Sequence, residues 1–362
     1  MNGEREKPSV EYWGKTHIKP GEKKRIRLEV GESYTGLSVR LPLLVWRGKQ
    51  EGPTVFISSA VHGDEINGTG TIRELINNPG FSLKKGTLVL LPVVNIMGFE
   101  RHSRYMPDRR DLNRSFPGSE TGSLTSRLAN LVYTEIISRC DYGIDLHTAA
   151  VRRTNFPNVR ADMNNPGCKK LAMAFGCEII VDQSGPDGSF RKCATTSGCP
   201  TIILEAGEVW KVEPTYLETA LRGITNCLSM LGMTNKQPEP CPEPKVIQTT
   251  QWVRAGAGGF LQFHVSPGEF VTKGQLLATN AGLLGLEQES IYATYTGLII
   301  GMSTMPAVSP GDPVLHIAKL QPKEMKKLEK ALDAGDSDSL ENRLREDLAT
   351  NLHVTDIPEE TN

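Results

Sequence analysis

The chain lacks the features that mark membrane-spanning, secreted or nucleic-acid-binding proteins. Among its 362 residues, no apolar run reaches the roughly 18 residues that a membrane-spanning helix needs. The polar residues 1–7 lead into no apolar run, so we expect no secretory signal. The 41 basic and 42 acidic residues balance and form no polybasic run. We therefore expect neither a nucleic acid nor a membrane as partner.

Cysteine is present but shows no pairing pattern. The seven cysteines are an odd number, and none forms a CxxC pair. Free thiols in a reducing cytoplasm are the simplest interpretation, so we expect a cytoplasmic protein. A chain of this length buries a sizeable core without disulfides. At roughly 100–200 residues per domain, two domains are expected.

The distribution of apolar residues predicts an α/β domain in the first two thirds of the chain. Residues 22–47 alternate between apolar and polar positions, which is typical of half-exposed strands. Short apolar runs predict buried strands at 54–61, 87–94, 141–147, 178–182 and 200–205. Helical patterns occur at 66–77, 121–139, 166–177 and 214–231, and a basic, loop-like segment occurs at 95–118. Strands that alternate with helices indicate a largely parallel sheet.

Beyond a proline-rich linker at 238–244, the pattern is all-β. Short apolar runs and glycine turns fill 246–320, and two motifs in this part recur. The first motif occurs as Gly259-Phe-Leu and again as Gly297-Leu-Ile. The second occurs as Val271-Thr-Lys-Gly and again as Val308-Ser-Pro-Gly. Two such halves resemble the barrel-sandwich hybrid of lipoyl and biotinyl domains. The turn at 280–290 carries no lysine, so we predict no swinging carrier arm.

These patterns divide the chain into three parts. Residues 1–240, with an N-terminal β extension at 1–50, form the main domain, and residues 245–320 form the β domain. Residues 321–362 are charged and carry leucines at helical spacing. We interpret this last part as a helical or disordered tail.

Two of the seven histidines stand at the ends of predicted strands. His62 follows the run at 55–61, and His147 ends the run at 141–147. Ligand sites in open α/β sheets lie at the carboxyl ends of strands, so both histidines indicate where a site forms. Glu65 follows His62 by three residues, and in a turn or first helical turn the two side chains face the same way. Alternatively, Glu65 only stabilises a helix N-terminus.

Together these three side chains have the donors of a catalytic zinc site. Two imidazoles and a carboxylate favour zinc over cations that prefer oxygen ligands alone. A three-ligand set leaves the fourth position open for water, as catalytic zinc requires. We therefore predict one Zn²⁺ per chain, bound by His62, Glu65 and His147.

Further polar residues stand near the predicted strand ends. Glu205 ends a buried run and is a candidate general base, or else a structural acid at a strand end. Asp145 precedes His147 by two residues, so it either orients that histidine or faces the other side of the strand.

The loop after the second buried strand contains residues suited to an acidic substrate. Arg114 offers a planar fork for a carboxylate, and Asn113 adds an amide. Alternatively, Arg114 pairs with a nearby acid such as Asp111 and only holds the loop. Arg152-Arg153, just after His147, either bind a second carboxylate or belong to a solvated basic loop, which we favour.

Four motifs in order resemble the succinylglutamate desuccinylase/aspartoacylase family of zinc-carboxypeptidase-like hydrolases. They are His62-x-x-Glu65, Asp111-Leu-Asn113-Arg114, Asp145-Leu-His147-Thr148 and Leu204-Glu205-Ala-Gly. The resemblance covers roughly residues 50–235 and extends to a C-terminal β domain. It implies a zinc-carboxypeptidase-like mixed sheet flanked by helices, followed by a barrel-sandwich-like all-β domain.

The resemblance also implies roles for individual residues. It implies zinc on His62, Glu65 and His147, with Glu205 as base and proton shuttle. It further implies a substrate carboxylate bound by Asn113 and Arg114, and a scissile carbonyl polarised by an upstream arginine. For that arginine Arg104 fits best, with Arg101 and Arg109 as alternatives, and an assisting tyrosine is sought in Tyr292 or Tyr295.

The expected function is that of a zinc-dependent deacylase. It would cleave the amide bond of an N-acyl amino acid, a small-molecule substrate, with a metal-activated water. One alternative is a carboxypeptidase-type peptide hydrolase. Another is a non-catalytic binding module built around the β domain. A homo-oligomer is compatible with all three.

Overall fold

The computed structural model describes residues 10–32, 36, 38–241, 243–285, 288–333, 339–350 and 354–355. Its first elements are β1 (Tyr12–Trp13), β2 (Thr16–His17), β3 (Lys23–Glu32), β4 (Ser38–Arg47), β5 (Gln50–Ser59), α1 (Asn67–Asn77), β6 (Lys85–Leu91), α2 (Ile96–Glu100), α3 (Leu124–Glu135), β7 (Tyr142–His147), β8 (Arg153–Ala161), α4 (Pro166–Phe175), β9 (Ile179–Asp182), α5 (Phe190–Thr196), β10 (Thr201–Gly207) and α6 (Pro214–Met230). Short 3₁₀ helices lie at Leu112–Arg114 and Ile137–Arg139.

The C-terminal part adds shorter strands and two helices. They are β11 (Lys245–Ile247), β12 (Thr250–Arg254), β13 (Gly259–Phe263), β14 (Phe270–Val271), β15 (Leu276–Ala281), β16 (Gln288–Tyr292), β17 (Gly297–Ser303), β18 (Ala307–Val308), β19 (Pro313–Lys319), α7 (Pro322–Asp333) and α8 (Leu340–Thr350).

A mixed sheet runs through the molecule, and in the part of the chain that the structure describes it contains 13 strands. At its centre β6, β5, β7 and β10 lie side by side and parallel. Antiparallel strands extend both edges: β4 and β3 lie beyond β6, and β8 lies beyond β10. The parallel centre places the carboxyl ends of β5, β7 and β10 at one edge, where the site forms.

Helices cover both faces of this sheet, because each has one apolar stripe to bury. On one face α1, α4 and α6 contribute buried residues such as Ile72, Leu171 and Ile224. On the other, α3 and α5 contribute Leu128 and Phe190. The predicted mixed α/β fold, with a large sheet flanked by helices, is confirmed.

The predicted helices and buried strands form close to the expected residues. Helix α4 illustrates why its ends lie where they do. The Asn165 side chain accepts hydrogen bonds from the backbone N–H groups of Gly167 and Cys168, and Pro166 occupies the first turn. Gly176 adopts φ +87° and ends the helix, two residues before the predicted strand.

Three elements differ from the expectation. Helix α2 lies in the segment expected to be a loop, and α5 forms where no element was predicted. The prediction that Arg153 belongs to a solvated basic loop is wrong, because Arg153 is the first residue of strand β8. Pro157 lies inside this strand, and proline is rare in central strands because it cannot donate a ladder hydrogen bond. The ladder between β8 and β10 has a register shift between Glu205 and Gly207.

The C-terminal strands continue the main sheet and add a second one. Strand β11 pairs with β9, and β17 pairs with β8. A four-stranded sheet, in the order β16-β15-β13-β18, packs against β17 and β19 around a core that includes Leu261 and Ile317. The two recurring motifs pair reciprocally: Gly259 lies opposite Val308, and Val271 lies opposite Gly297.

The two C-terminal helices pack on the rest of the chain. In α8, Leu340, Leu344 and Leu348 are buried. Arg345 from α8 makes two 2.8 Å hydrogen bonds to the carboxylate of Glu178. Among the described residues, no helix is both long enough and apolar enough to span a bilayer.

Candidate active site

The sheet brings the predicted site residues to one edge. His147 ends β7, and in the parallel ladder it lies directly opposite Glu205 of β10. Strand β5 ends at Ser59, next to β7, and the following turn carries His62 and Glu65. These three neighbouring strand ends therefore supply every side chain predicted to bind the metal or act as base.

The turn after β5 needs an unusual backbone to present its side chains. Ala60 adopts φ +51°, a region that residues other than glycine rarely occupy. Gly63 packs against α2 so closely that a Cβ atom there would lie 2.1 Å from the carbonyl carbon of Gly98. Only glycine fits at Gly63, which explains its place between His62 and Glu65.

The three predicted metal ligands lie together and are buried. His62 Nδ1 lies 2.6 Å from Glu65 Oε1, and His147 Nδ1 lies 2.9 Å from Glu65 Oε2. All three residues are at most 3% exposed. One donor atom from each lies within 4.8 Å of the others, which makes them a candidate metal cluster.

A carboxylate contacts the Nε2 atom of each imidazole, the ring nitrogen that faces away from Glu65. His62 Nε2 lies 3.2 Å from Asp111 Oδ1, and His147 Nε2 lies 2.7 Å from Asp145 Oδ2. Ser58 Oγ donates to the other oxygen of Asp145 at 2.7 Å. Of the two predicted positions for Asp145, the one that orients His147 is therefore confirmed. Such outer carboxylates fix the ring orientation of metal-binding histidines.

The buried charges of this cluster are strongly coupled. Burial opposes ionisation of Glu65, but the two neighbouring imidazoles outweigh it and hold the pKa of Glu65 well below its usual range. Burial likewise opposes protonation of His62, yet Glu65 and Asp111 raise its pKa. The pKa of His147 is raised in the same way by Asp145 and Glu65. The site therefore favours a positive charge between these carboxylates.

This donor set fits zinc. A divalent cation would neutralise the buried Glu65 carboxylate and accept a lone pair from each Nδ1 atom. Two imidazoles and one carboxylate are typical zinc donors, and three protein ligands leave a position open. His62, Glu65 and His147 are thus the residues that would hold the ion.

Glu205 lies in the same cavity and is held by two residues of β8. The Asn155 amide donates to Glu205 Oε2 at 3.1 Å. Arg160 Nη1 lies 3.5 Å from Glu205 Oε1. Each carboxylate oxygen thus has its own polar neighbour, Asn155 at Oε2 and Arg160 at Oε1, and these two neighbours fix the position of the Glu205 carboxylate in the cavity wall.

Of the three candidate arginines, Arg104 alone lines this cavity among the described residues. Its guanidinium donates to Glu65 Oε1 at 3.2 Å and to Asp111 Oδ2 at 3.1 Å. Arg101 and Arg109 are exposed. The structure thus places Arg104 beside the candidate metal ligands and the two alternatives outside the cavity.

Asn113 and Arg114 also line the cavity. The Asn113 side-chain oxygen accepts a hydrogen bond from the Phe190 backbone at 2.8 Å, which leaves its amide nitrogen as the donor. Arg114 Nη1 donates to the Asn113 carbonyl at 2.6 Å. Asp111 instead pairs with Arg104 and His62, so the alternative in which Asp111 holds Arg114 is wrong.

The cavity has a volume of about 280 Å³ and is rich in cations. Its lining includes five arginines, at 104, 114, 153, 160 and 191, and two glutamates, at 65 and 205. Trp252 of β12 and His316 of β19 also line it, so the C-terminal strands supply one wall. Their rings stack with centroids 4.5 Å apart.

The two candidate tyrosines lie elsewhere. Neither Tyr292 nor Tyr295 is among the described residues that line the cavity. Tyr292 is half exposed, and the Tyr295 hydroxyl donates to the Ile317 carbonyl at 3.3 Å. Neither is positioned to assist at the Glu65 cluster.

Sequence reasoning missed several residues that line the cavity, among them Asn155, Arg160, Arg191, Trp252 and His316. For Arg191 a usable signal existed, because Gly188-Ser189 before an apolar residue is a helix start, and Ser189 accepts a bond from the Lys192 backbone. Asn155 and Arg160 were missed because Pro157 between them argues against a strand. No local signal identifies the C-terminal pair.

The fold and the cavity define a mixed α/β protein with a buried His–Glu–His candidate metal centre beside the carboxylate of Glu205. Residues 51–231 match the model of the succinylglutamate desuccinylase/aspartoacylase catalytic domain, which is half of the chain. The chain belongs to this family, as its four motifs predicted.

Relatives agree with this assignment. The N-alpha-acetyl-L-2,4-diaminobutyric acid deacetylase of Halomonas elongata is 25% identical over 300 residues, covering 78% of this chain and 86% of that protein. The product-bound ectoine utilization protein EutE (DoeB) of Ruegeria pomeroyi has a TM-score of 0.75 at 23% identity, covering 84% of this chain and 97% of that chain. A succinylglutamate desuccinylase/aspartoacylase of Rhodobacter sphaeroides has a TM-score of 0.73 at 23% identity, covering 83% and 96%. These two structural likenesses show a shared fold.

Proposed function

We propose that this protein is a zinc-dependent deacylase that hydrolyses the amide bond of an N-acyl amino acid. The observation that carries the proposal is the convergence of His62, Glu65, His147 and Glu205 on one cavity. Family membership and the deacetylase relative support amide hydrolysis as the reaction. When bound, zinc would supply Lewis acidity that makes an attacking water easier to deprotonate.

Glu205 takes the proton of the attacking water in this proposal. Its carboxylate is held by Asn155 and approached by Arg160, so it stays oriented during the reaction. The same carboxyl group then returns the proton to the leaving amine. We propose Asn155 as a positioning residue for this base, since its amide contacts Glu205 Oε2.

Arg104 and the Asn113-Arg114 pair act on the substrate. Arg104 lies beside Glu65, where its remaining N–H groups donate to the scissile carbonyl as negative charge develops on the oxygen. Arg114 and the Asn113 amide bind the carboxylate of the amino acid, which fixes the amide bond at Glu205.

The size of the cavity favours a small substrate over a peptide. At about 280 Å³ it lies near the low end of the volumes of small-molecule pockets. Trp252 and His316, from the C-terminal strands, line one side of it. A carboxypeptidase-type activity would need additional room for a peptide chain, which a cavity of this volume does not favour.

The C-terminal region is proposed as a barrel-sandwich-like domain. The reciprocal pairing of Gly259 with Val308 and of Val271 with Gly297 supports two similar halves related by a pseudo-twofold axis. We propose that this domain, residues 245–320, serves the hydrolase domain, residues 1–240, as a wall of its cavity. No disulfide links the seven cysteines, which supports the proposed cytoplasmic location.

An activity screen tests the function. Zinc-loaded protein is assayed on N-acetyl and N-succinyl amino acids, and in parallel on tripeptides that end in the same amino acids. We expect amine release from N-acyl amino acids at a kcat/KM at least about tenfold above that for the tripeptides. Faster cleavage of the tripeptides would favour the peptide hydrolase, and no turnover of either class would favour the binding module.

A further inference from the structure

Trp210 occupies a strained backbone position at the surface of the protein. It adopts φ +59°, a conformation that is uncommon for any residue other than glycine and a clear outlier for one as bulky as tryptophan. The residue is 54% exposed, so burial of its ring does little to offset the strain. Strained residues of this kind cluster at functional sites, where the surrounding contacts hold them in place. The contacts of Trp210 therefore indicate what its conformation provides.

Hydrogen bonds join Trp210 to the metal-ligand turn (residues 62–65) and to the Arg104 turn (residues 101–105). Its backbone N–H donates to the Asp64 carbonyl at 3.0 Å, between the candidate metal ligands. Its indole Nε1 donates to the His102 carbonyl at 3.2 Å. A single residue thus contacts both turns, one through its main chain and the other through its side chain.

The Arg104 turn is supported from both sides. On one side, the Ser103 N–H donates to the carbonyl of Gly98 in α2 at 2.9 Å. On the other side, the His102 carbonyl accepts the bond from Trp210, and His102 itself adopts the strained φ of +51°. The guanidinium of Arg104 extends from this turn to the candidate metal ligands. Loss of the Trp210 contact would therefore let that guanidinium shift relative to them.

The turn that carries Trp210 is itself fixed. It directly follows β10, the strand that holds Glu205. The Asn67 amide donates to the Glu208 carbonyl at 3.2 Å, and the Glu213 N–H donates to Asn67 Oδ1 at 2.8 Å. The Glu208 N–H in turn donates to the Glu213 carboxylate at 3.0 Å. Trp210 therefore has a defined position relative to α1 and β10, as a rigid support requires.

We propose that Trp210 is a positioning residue that holds Arg104 at the candidate metal centre through its indole N–H. This proposal rests on the proposed function, in which Arg104 donates to the scissile carbonyl as negative charge develops on the oxygen. Such a donor stabilises the transition state only when it is correctly placed, and a misplacement of about 1 Å can cost on the order of 100-fold in rate. The role of Trp210 is thus indirect, through the placement of this guanidinium.

Trp210→Phe tests the proposal, because it keeps an aromatic ring and the backbone N–H but removes the indole donor. On a confirmed substrate we expect kcat to fall by roughly 5- to 50-fold while KM changes by less than about threefold, as for an interaction that acts in the transition state. Zinc content should stay unchanged. Trp210→Asn, whose side chain tolerates positive φ, should show a similar fall and covers the case in which the phenylalanine variant fails to fold.

Trp46→Phe is the matched control, because it makes the same chemical change away from the site. Trp46 lies on β4, packs against Phe81 and is not among the described residues that line the cavity. This variant should keep the wild-type kcat. A wild-type kcat in Trp210→Phe as well, or a rise in KM in place of a fall in kcat, would overturn the positioning role.

A double-mutant cycle shows whether Trp210 acts through Arg104. Arg104→Met removes the guanidinium and should lower kcat by itself. If the indole bond works by placing that guanidinium, adding Trp210→Phe to Arg104→Met should lower kcat by less than about twofold further. A fall of the same size in both backgrounds would overturn the proposal, since Trp210 would then act independently of Arg104.

Hydrogen exchange of the full-length, zinc-loaded protein tests the contact without any substrate. We expect a peptide that covers residues 98–106 to exchange at least about threefold faster in Trp210→Phe than in wild type or Trp46→Phe, because the Arg104 turn loses one support. If no N-acyl amino acid is hydrolysed, the proposed function fails and this measurement decides. Faster exchange then still supports Trp210 as the residue that positions the Arg104 turn, whereas unchanged exchange overturns it.

Discussion

Glu205 is the side chain on which the proposed chemistry depends most. Glu205→Gln keeps the shape and the contact with Asn155 but cannot take a proton. We expect metal content to stay unchanged and turnover to fall by about 10²- to 10⁴-fold, the usual contribution of general base catalysis. Elemental analysis and kcat on a confirmed substrate measure the two quantities.

Glu208→Gln is a suitable control, because Glu208 lies three residues after Glu205, just beyond β10, yet pairs with Lys211 and Thr304 outside the cavity lining. It should keep wild-type turnover. A near wild-type rate in Glu205→Gln itself would mean that another group takes the proton.

Arg114 tests how the substrate is held. Arg114→Lys keeps the charge but loses the planar fork, so we expect kcat/KM to fall by roughly 10- to 150-fold, or about 1.5–3 kcal/mol. Zinc content should stay the same, since Arg114 contacts Asn113 and no metal ligand. Wild type should also prefer a free α-carboxylate over its methyl amide. Equal wild-type rates on both would end the assignment of Arg114 as a carboxylate clamp.

His316 makes stability depend on pH in a defined direction. Burial, and then the charges of Arg160 and Arg153, lower its pKa to about 3. The unfolded chain, with an ordinary histidine, takes up a proton near pH 6.5, whereas the folded protein does so only near pH 3. This group therefore contributes stability at neutral pH that is lost as the pH falls from about 6.5 toward 3.

Denaturant unfolding of metal-free wild type and His316→Gln between pH 5 and 7 measures this contribution. The free energy of unfolding of wild type should fall more steeply on acidification, by about 1 kcal/mol per pH unit near pH 5. Parallel curves for the two proteins would show that His316 titrates normally.

The strands of the C-terminal region contact the first 240 residues directly, both through strand pairing and through side chains that line the cavity. Strand β17 pairs with β8, which holds Asn155 and Arg160, and β12 and β19 supply Trp252 and His316. Truncation after residue 240 removes this region together with α7 and α8, and should expose the edge of β8 and open the cavity, so we expect aggregation or loss of turnover. Gel filtration and activity of a 1–240 fragment measure this, and a monodisperse, fully active fragment would contradict it.

Elements could be predicted where a short stretch of sequence carries a clear pattern of apolar residues. Strands β5, β7 and β10 were predictable because strands buried on both faces are continuous apolar runs. Strand β8 was not, because Pro157 suggests a break and the tertiary ladder accommodates it through a register shift. The positions of Asn155 and Arg160 in the site were hidden with it.

For the protein as a whole, the main expectation is one zinc ion per chain. His62, Glu65 and His147 provide three candidate metal donors. Asp111 contacts the Nε2 atom of His62, and Asp145 contacts the Nε2 atom of His147, so both imidazole rings have a fixed orientation. Elemental analysis of protein purified without added metal should find about one zinc per chain, and chelation should remove activity that added zinc restores. Absence of zinc, with no uptake on reconstitution, would refute the metal centre.

The sequence by itself determined the α/β class, the candidate metal ligands and the candidate base. Each of these depends on short-range order: an apolar run ends, and a histidine or glutamate follows, as at His62, His147 and Glu205. Only the tertiary structure decided which other side chains share the cavity. Trp252 and His316 lie far from those motifs along the chain and reach the site through the pairing of β12 with β19, which no local pattern encodes.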